Sequence, residues 1–587
     1  MRRLLSSILS LTLVAASSAA APQSTSAQAG QGQTATISTP APTVKGDLGA
    51  KLNELLTRYT PYGFSGAALI AKNGEVVLHQ AYGLANRSSS VANTLDTVFE
   101  IGSLTKTFTA AAILQLEMQG KLGVNDAIGK YLDGLPPDKA VITIYHLLSH
   151  TSGLVRDTGG PAITPNVSRD ELIQRALGAP LQSAPGQKYS YSNLGFTVLA
   201  AIVEKASGQT WQNYLKERLF KPAGLTRTVF WDPSMANDPR IAVGYRGPSL
   251  DLLETDPPET VSWSRGLGAT GILSTAGDLY RWWLALQKDG ILLEAARKKM
   301  FTAPTVGDEP YGWHIEKTGS GPARIHKGGV VQAFEAQFAH YPEAGVVMIF
   351  AMNKNISMRA PLWQVIEQVV FGKDYTLPPL ITASDVAPQK YVGEYELPSG
   401  ARFRAWVDQN RLMLGAIGQD AVNLLVYPGN RDPQLHRDTN AMTEKVIEAL
   451  KKGELAGLKE VPDPAPVQRF WQGAKERFGA VKSYHILGTM PRSPGVVQTY
   501  ARIEFENATE VIRFSWSAGK LGPMGGGIPL PAITSFIPQS ETSFTAFDYR
   551  TSQIVRIAFD KDVGGNISSL RVLSKDGQGE TTAKKTK

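Results

Sequence analysis

One stretch limits what this chain can become more than any other. Ser103-Leu104-Thr105-Lys106 opens a run over residues 107–119 that is apolar at Ala110, Ala111, Ile113, Leu114 and Leu116 and stops at Gly120. A glycine just past an apolar run is a helix stop. The run therefore predicts a helix buried inside a globular protein, with Ser103 at its N-terminal end. Residues three apart share a helix face, so the Ser103 hydroxyl and the Lys106 amine are neighbours. A serine hydroxyl is a poor nucleophile until a base takes its proton. A lysine serves as that base when burial or nearby positive charge keeps it unprotonated. The positive end of the helix dipole acts in the same direction. Free N–H groups at the same helix end suit a developing oxyanion. A second copy of the pattern, Ser517-Ala518-Gly519-Lys520, lies between an apolar run at 512–516 and a Gly/Pro-rich segment, and predicts a turn between strands. The case for Ser103 rests on partners elsewhere in the chain.

The chain's 587 residues are enough for roughly two to four domains. The net charge of +8 is scattered, and only Lys584-Lys585-Thr586-Lys587 clusters it, so no nucleic-acid partner is expected. The absence of cysteine excludes disulfides, thiolate metal sites and a cysteine nucleophile. The eight histidines show no metal-ligand spacing, and neither metal nor cofactor is expected.

Arg2-Arg3, the apolar residues 4–16 and Ser18-Ala19-Ala20 read residues 1–20 as a signal peptide, either cleaved or kept as an N-terminal anchor. The expected location is secreted or periplasmic. No later run is long enough to cross a bilayer, so contact with a membrane is expected only through an uncleaved signal. Residues 21–46 are rich in Ala, Gln, Gly, Ser, Thr and Pro and read as a flexible linker.

From residue 47 the pattern is that of a folded domain. A helix is predicted over 51–59, then strands over 66–71 and 76–82 joined at Asn73-Gly74. Helices follow at 144–149, 170–176, 194–206 and 278–287, then strands at 323–326, 335–340 and 346–353. Strands at both ends with helices between them predict an α/β (α+β) domain over 47–375. Its antiparallel sheet is closed by the chain termini and flanked by helices, and a helical lobe stands beside it. From residue 391 the character is mainly β. Strands are predicted at 393–396, 401–407, 411–414 and 422–427, helices at 443–451 and 467–478, and further strands between 484 and 572. The polar residues 575–587 read as a disordered tail.

Two further elements qualify as partners of Ser103. Tyr191-Ser192-Asn193 places a phenol and an amide two residues apart. A phenol near a lysine relays a proton, and an amide orients the lysine or a substrate carbonyl. Read structurally, the same residues are a loop tyrosine and an asparagine capping the next helix. His326-Lys327-Gly328-Gly329 lies in or just after a strand, where paired glycines let a ligand approach the backbone. Read structurally, it is a glycine turn with exposed His and Lys.

In this order the three elements resemble the serine β-lactamase and penicillin-binding protein superfamily, most of all its class C, esterase and D-aminopeptidase branch. Residues Leu147-Leu148-Ser149-His150-Thr151-Ser152-Gly153-Leu154, Pro185-Gly186 and the glycine-rich 268–279 are also similar, and the resemblance spans roughly residues 47–372. It implies a two-lobed fold with the site between the lobes. Ser103 would be the nucleophile, Lys106 the base, Tyr191 the proton relay and Asn193 the positioning residue. The N–H groups of Ser103 and Gly329 would form the oxyanion hole, and Gly328 would keep the strand edge open. The implied reaction is acyl-enzyme formation on Ser103 followed by attack of water. The partner is then a small ester or peptide.

Position 326 is His where β-lactamases and penicillin-binding enzymes usually carry Lys. An ammonium there would hold a substrate carboxylate, whereas a histidine is only partly charged near neutral pH. The departure favours esters or D-amino-acid peptides over penicillins. A true β-lactamase or DD-peptidase, and a non-catalytic binding protein on the same fold, remain as alternative readings.

Tyr391-Val392-Gly393-Glu394-Tyr395-Glu396 resembles the opening of a lipocalin-like β-domain, which the resemblance places at 385–431 and 528–574. Residues 436–527 then read as an inserted α+β domain, and one continuous domain is the rival reading. The sequence leaves the oligomeric state open.

Overall fold

The computed structural model describes residues 42–156, 169–231, 233–235, 238–246, 253–254, 267–302, 306–317, 323–331, 333–355, 359–381, 386–408, 411–425, 433–493, 495–526, 534–548, 553–573 and 580–586. The expected signal peptide, and the expected linker as far as residue 41, lie outside the described residues.

Seven strands build the central sheet: β1 (Thr43–Val44), β2 (Gly66–Lys72), β3 (Glu75–Tyr82), β4 (His314–Lys317), β5 (Ala323–Val331), β6 (Phe334–Tyr341) and β7 (Val346–Met352). They lie in the order β1-β3-β2-β7-β6-β5-β4, every pair antiparallel. The β2–β3 turn carries Asn73 and Gly74 at φ 53° and 79°, the left-handed pair that a two-residue hairpin needs. β7 is buried at every position, so the sheet needs cover on both faces.

Alternation along the strands supplies that cover. Ala67, Leu69 and Ile349 face a core shared with helices α2 (Thr105–Met118), α3 (Asn193–Ser207) and α4 (Ala276–Leu286). Ala68, Ile70 and Phe350 face a second core, built with α1 (Gly46–Tyr59) and α5 (Arg359–Val370). This is the expected α/β architecture of an antiparallel sheet flanked by helices. α2 is buried on all sides from Thr105 to Leu116, as a helix through the middle of a lobe is. Among the described residues no helix is long and apolar enough to cross a membrane.

The C-terminal region holds a closed barrel and a second sheet. The barrel runs through β8 (Gly393–Glu396), β9 (Arg402–Asp408) and β10 (Arg411–Ile417). The chain then leaves it for α6 (Gln419–Leu425), α7 (Pro433–Lys452), α8 (Pro464–Phe478) and the four-stranded sheet β11 (Val481–Ser493), β12 (Val496–Phe505), β13 (Thr509–Ser517) and β14 (Lys520–Gly525). It re-enters through β15 (Thr534–Pro538), which pairs with β10. The barrel continues as β16 (Ser543–Asp548), β17 (Gln553–Lys561), β18 (Ile567–Leu573) and β19 (Glu580–Lys585). Trp471, Trp516 and Phe505 form a core of their own between α7, α8 and the four-stranded sheet. Phe547 of the barrel packs edge-on against Tyr59 and Tyr62, at 5.6 and 5.5 Å between ring centroids, and so joins the second core of the central sheet.

The structure corrects three expectations. Thr43 and Val44 do not belong to a flexible linker; they pair with His79 and Leu78, since backbone pairing asks little of composition. Of the strand expected at 422–427, residues 422–425 belong to the helix α6, whose buried Ala421, Val422 and Leu425 follow helical rather than alternating spacing, and residues 426–427 lie outside the described residues. Residues 580–585 are not a disordered tail. They form β19, which pairs with β18 on one side and β8 on the other and closes the barrel. Its polar appearance is that of a strand with one fully buried residue, Ala583, between the exposed Thr582 and Lys584.

Candidate active site

Ser103 lies in a 3-10 turn, Gly102–Leu104, that runs directly into α2. The turn fits only because Gly102 has φ 52° and lies against β5: a Cβ on it would stand 2.9 Å from the backbone nitrogen of Val330. One turn on, Lys106 is fully buried. Its Nζ lies 3.1 Å from Ser103 Oγ, 2.8 Å from Asn193 Oδ1 and 3.1 Å from the carbonyl oxygen of Ala269. Tyr191 Oη is 2.8 Å from Ser103 Oγ. The structure thus brings together Ser103, Lys106, Tyr191 and Asn193, as the sequence motifs implied.

The second motif is held by the stretches that flank it in the sequence reading. The Gly186 N–H donates to Thr151 O at 2.8 Å and the Ser190 N–H to His150 O at 2.8 Å. These bonds fasten the tyrosine loop to the residues after the short helix Ile144–Leu148. The cap of α3 is Ser192, whose Oγ accepts from the Gly195 N–H at 3.0 Å. Asn193 is the first helical residue, not the cap, and its side chain is left to meet Lys106. The glycine-rich stretch supplies the Ala269 carbonyl, with Gly268 so close to α3 that a Cβ would meet Phe196 O at 2.2 Å.

The third motif enters differently from the expectation. Adjacent strand residues point to opposite faces. On β5 it is Lys327 that faces Tyr191, its Nζ 5.2 Å from the phenol ring. His326 turns away, stacks on His314 at 5.2 Å and places Nε2 3.1 Å from Glu316. Burial, with Arg324 beside it, pushes the His326 imidazole down to about 3. The lysine found lacking at position 326 is therefore present one residue on. Gly328 pairs with Gln337 in the ladder, and Gly329 is the position with no room: a Cβ there would lie 1.9 Å from Ile101 O and 2.8 Å from Ser103 N.

Behind Tyr191 lies a buried polar cluster that the sequence did not disclose. Glu309 is fully buried. It ion-pairs with Lys327 Nζ, accepts from Tyr189 Oη at 2.9 Å, and meets His150 Nε2 at 3.2 Å and His314 Nε2 at 3.1 Å. Burial alone would raise its carboxyl; the Lys327 ammonium, then His150 and His314, hold it well below the carboxylate range. Burial lowers Lys327, and the Glu309 charge opposes that. His150 accepts the Ser192 N–H on Nδ1 at 3.1 Å, so a neutral ring carries its proton on Nε2 and donates it to Glu309. Burial pushes this imidazole down to about 4. Its ring lies 4.4 Å from that of Tyr191, and its backbone is left-handed at φ 56°. An acid two residues before Tyr311-Gly312 was the sole trace of Glu309 in the sequence. Lys327 was visible in the sequence, but the site cation was sought at position 326.

Comparisons with known proteins agree with this fold. A family profile described as Beta-lactamase matches residues 52–371. The chain is 32% identical over 315 residues to "Putative penicillin-binding protein PbpX" of Bacillus subtilis (strain 168), spanning 53% of this chain and 76% of that protein. It is 31% identical over 246 residues to "D-alanyl-D-alanine-carboxypeptidase/endopeptidase AmpH" of Escherichia coli (strain K12), spanning 39% of this chain and 60% of that protein. The octameric penicillin-binding protein homologue from Pyrococcus abyssi shares the fold, with a TM-score of 0.50 and 18% identity over 92% of this chain and 100% of that chain.

Proposed function

Because the chain belongs to the Beta-lactamase family, whose serine-hydrolase chemistry it shares, we propose that it cleaves an ester or amide through an acyl-enzyme on Ser103. The observation that carries this reading is the position of Ser103 Oγ, within hydrogen-bond reach of Lys106 Nζ at 3.1 Å and of Tyr191 Oη at 2.8 Å. A neutral amine has two N–H groups and one lone pair. Asn193 Oδ1 and Ala269 O accept the two N–H groups, which leaves the lone pair for the Ser103 hydroxyl.

In acylation Ser103 Oγ attacks the carbonyl carbon and its proton passes to Lys106. The oxyanion is met by the Ser103 N–H and by the β5 edge at Gly329–Val330. The proton returns by way of Tyr191 to the leaving alcohol or amine as its bond to the acyl carbon breaks. Water then attacks the ester on Ser103 and gives its proton back along the same path, releasing the acid and the free serine. Lys106 lies 5.0 Å from the Tyr191 ring, where, once it has taken the proton, it stabilises negative charge that develops on the phenol during transfer.

The substrate is a carboxylester or a D-amino-acid peptide, and the enzyme is exported by the segment at residues 1–20. The test is a fluorophosphonate followed by peptide mass spectrometry, alongside turnover of p-nitrophenyl acetate and of a chromogenic cephalosporin. A label on Ser103 with Ser103-dependent ester cleavage supports the reading. No label, and equal turnover by Ser103→Ala, overturns it. N-terminal sequencing of protein recovered outside the cytoplasm tests export; an intact Met1 in cytoplasmic protein refutes it.

A further inference from the structure

The cation on β5 is already matched. Lys327, 1% exposed, faces the phenol of Tyr191, and its Nζ is ion-paired to the fully buried Glu309. The second carboxylate oxygen of Glu309 is taken by Tyr189 Oη at 2.9 Å and His314 Nε2 at 3.1 Å. His150 adds a hydrogen bond but, when neutral, no charge. The pair is therefore electrically balanced and closed off from solvent by its own partners. A substrate carboxylate seeking Lys327 must displace Glu309, and the displaced carboxylate stays buried without a counter-ion, which is the costly way to break such a pair. Arg156, the other cation at the Tyr191 ring outside the reacting group, is exposed and lies over the phenol at 5.2 Å. It is at the solvent side of the site, where water screens what it offers an anion.

We propose that the Lys327–Glu309 pair makes Glu309 a specificity-determining residue: it cancels the β5 cation and restricts the site to neutral esters and amides, against acyl donors that carry a free carboxylate. This rests on the serine-hydrolase reading of Ser103.

The experiment compares two esters of the same length, p-nitrophenyl valerate and mono-p-nitrophenyl glutarate, which differ by a terminal carboxylate. Rates are corrected with Ser103→Ala. In the wild type kcat/KM for the valerate exceeds that for the glutarate by about tenfold or more. In Glu309→Gln the Lys327 ammonium loses its partner and accepts the substrate carboxylate instead, so the ratio falls by at least about tenfold. The double variant Glu309→Gln with Lys327→Met removes both charges and restores a preference for the valerate. The wild-type ratio is informative even if a variant fails to fold. Ser103-dependent cleavage that favours the glutarate in the wild type, or an unchanged ratio in a folded Glu309→Gln, overturns this inference while leaving the hydrolase reading intact. If neither ester is cleaved in a Ser103-dependent way, the hydrolase reading falls and this inference falls with it.

Discussion

Tyr191 Oη and Ser103 Oγ stand 2.8 Å apart across 88 residues of sequence. The first belongs to a loop tied to His150 and Thr151, the second to the turn that opens a helix buried in the other part of the lobe. The contact exists only when both segments are in place.

Removing that contact tests the relay. Tyr191→Phe keeps the ring and its cationic surroundings but loses the hydroxyl. It is expected to lower kcat by on the order of a hundredfold with little change in melting temperature. Steady-state kinetics on the best ester, beside Ser103→Ala as the inactive reference, give the answer. A Tyr191→Phe enzyme within a factor of two of wild type removes Tyr191 from the mechanism.

Asn193 is expected to act through Lys106. Asn193→Leu withdraws one of the acceptors of the Lys106 amine and leaves that amine to rotate away from Ser103. The expected result is a kcat lowered about tenfold or more with KM nearly unchanged, since an interaction of the chemical step has been lost. If KM rises and kcat holds, Asn193 binds substrate rather than orienting the base.

At Gly329 the expected effect is steric. A Cβ there stands 1.9 Å from Ile101 O, so Gly329→Ala must push β5 away from the Ser103 turn. Losing one oxyanion donor in this way costs about a hundredfold to a thousandfold in kcat. Gly473→Ala, on α8 with open space around it, is the matched control and should leave kcat unaltered. Wild-type kcat in Gly329→Ala would show that the strand edge does not serve the oxyanion.

Stability should fall on mild acidification. Burial pushes His150 and His340 down to about 4 and His326 to about 3, from an ordinary 6.5. The unfolded chain therefore binds more protons than the folded one below about pH 6.5, and stability rises with pH across that window. It is fully present above pH 6.5 and is lost as the pH drops toward 4, on the order of 3 kcal/mol from His150 alone. Urea unfolding followed at pH 7, 6 and 5 should show the midpoint moving steadily down. A midpoint that stays constant over this range contradicts the buried neutral state of these rings.

The last strand is expected to be needed for the barrel. Ala583 is fully buried on β19 between β18 and β8. Ala583→Asp places an unpaired charge inside, and about 3 kcal/mol or more of barrel stability should go with it. Differential scanning calorimetry should show a transition lowered by several degrees. An unaltered thermogram would mean that β19 is dispensable.

Ser103, Lys106, Tyr191 and Asn193 were legible because each sits in a short local pattern: a helix start, and a residue pair two apart. The hairpin at Asn73-Gly74 and the buried α2 were legible for the same reason, since turn chemistry and apolar periodicity are written in neighbouring residues. His326 was misread because a tripeptide pattern does not say which of two adjacent strand residues points inward; the register of β5 against β6 decides that. Glu309 was invisible because a buried carboxylate is defined by what surrounds it, and its partners Lys327, His150, Tyr189 and His314 come from four separate segments. α6 and β19 were misassigned where few apolar residues carried the period.

By itself, the sequence determined that Ser103 and Lys106 are neighbours, because a spacing of one helix turn sets them side by side whatever the rest of the chain does. The tertiary structure decided which cation faces the site, what neutralises it and where the chain closes its barrel. Those depend on burial and strand register, and both come into being only when distant segments pack together.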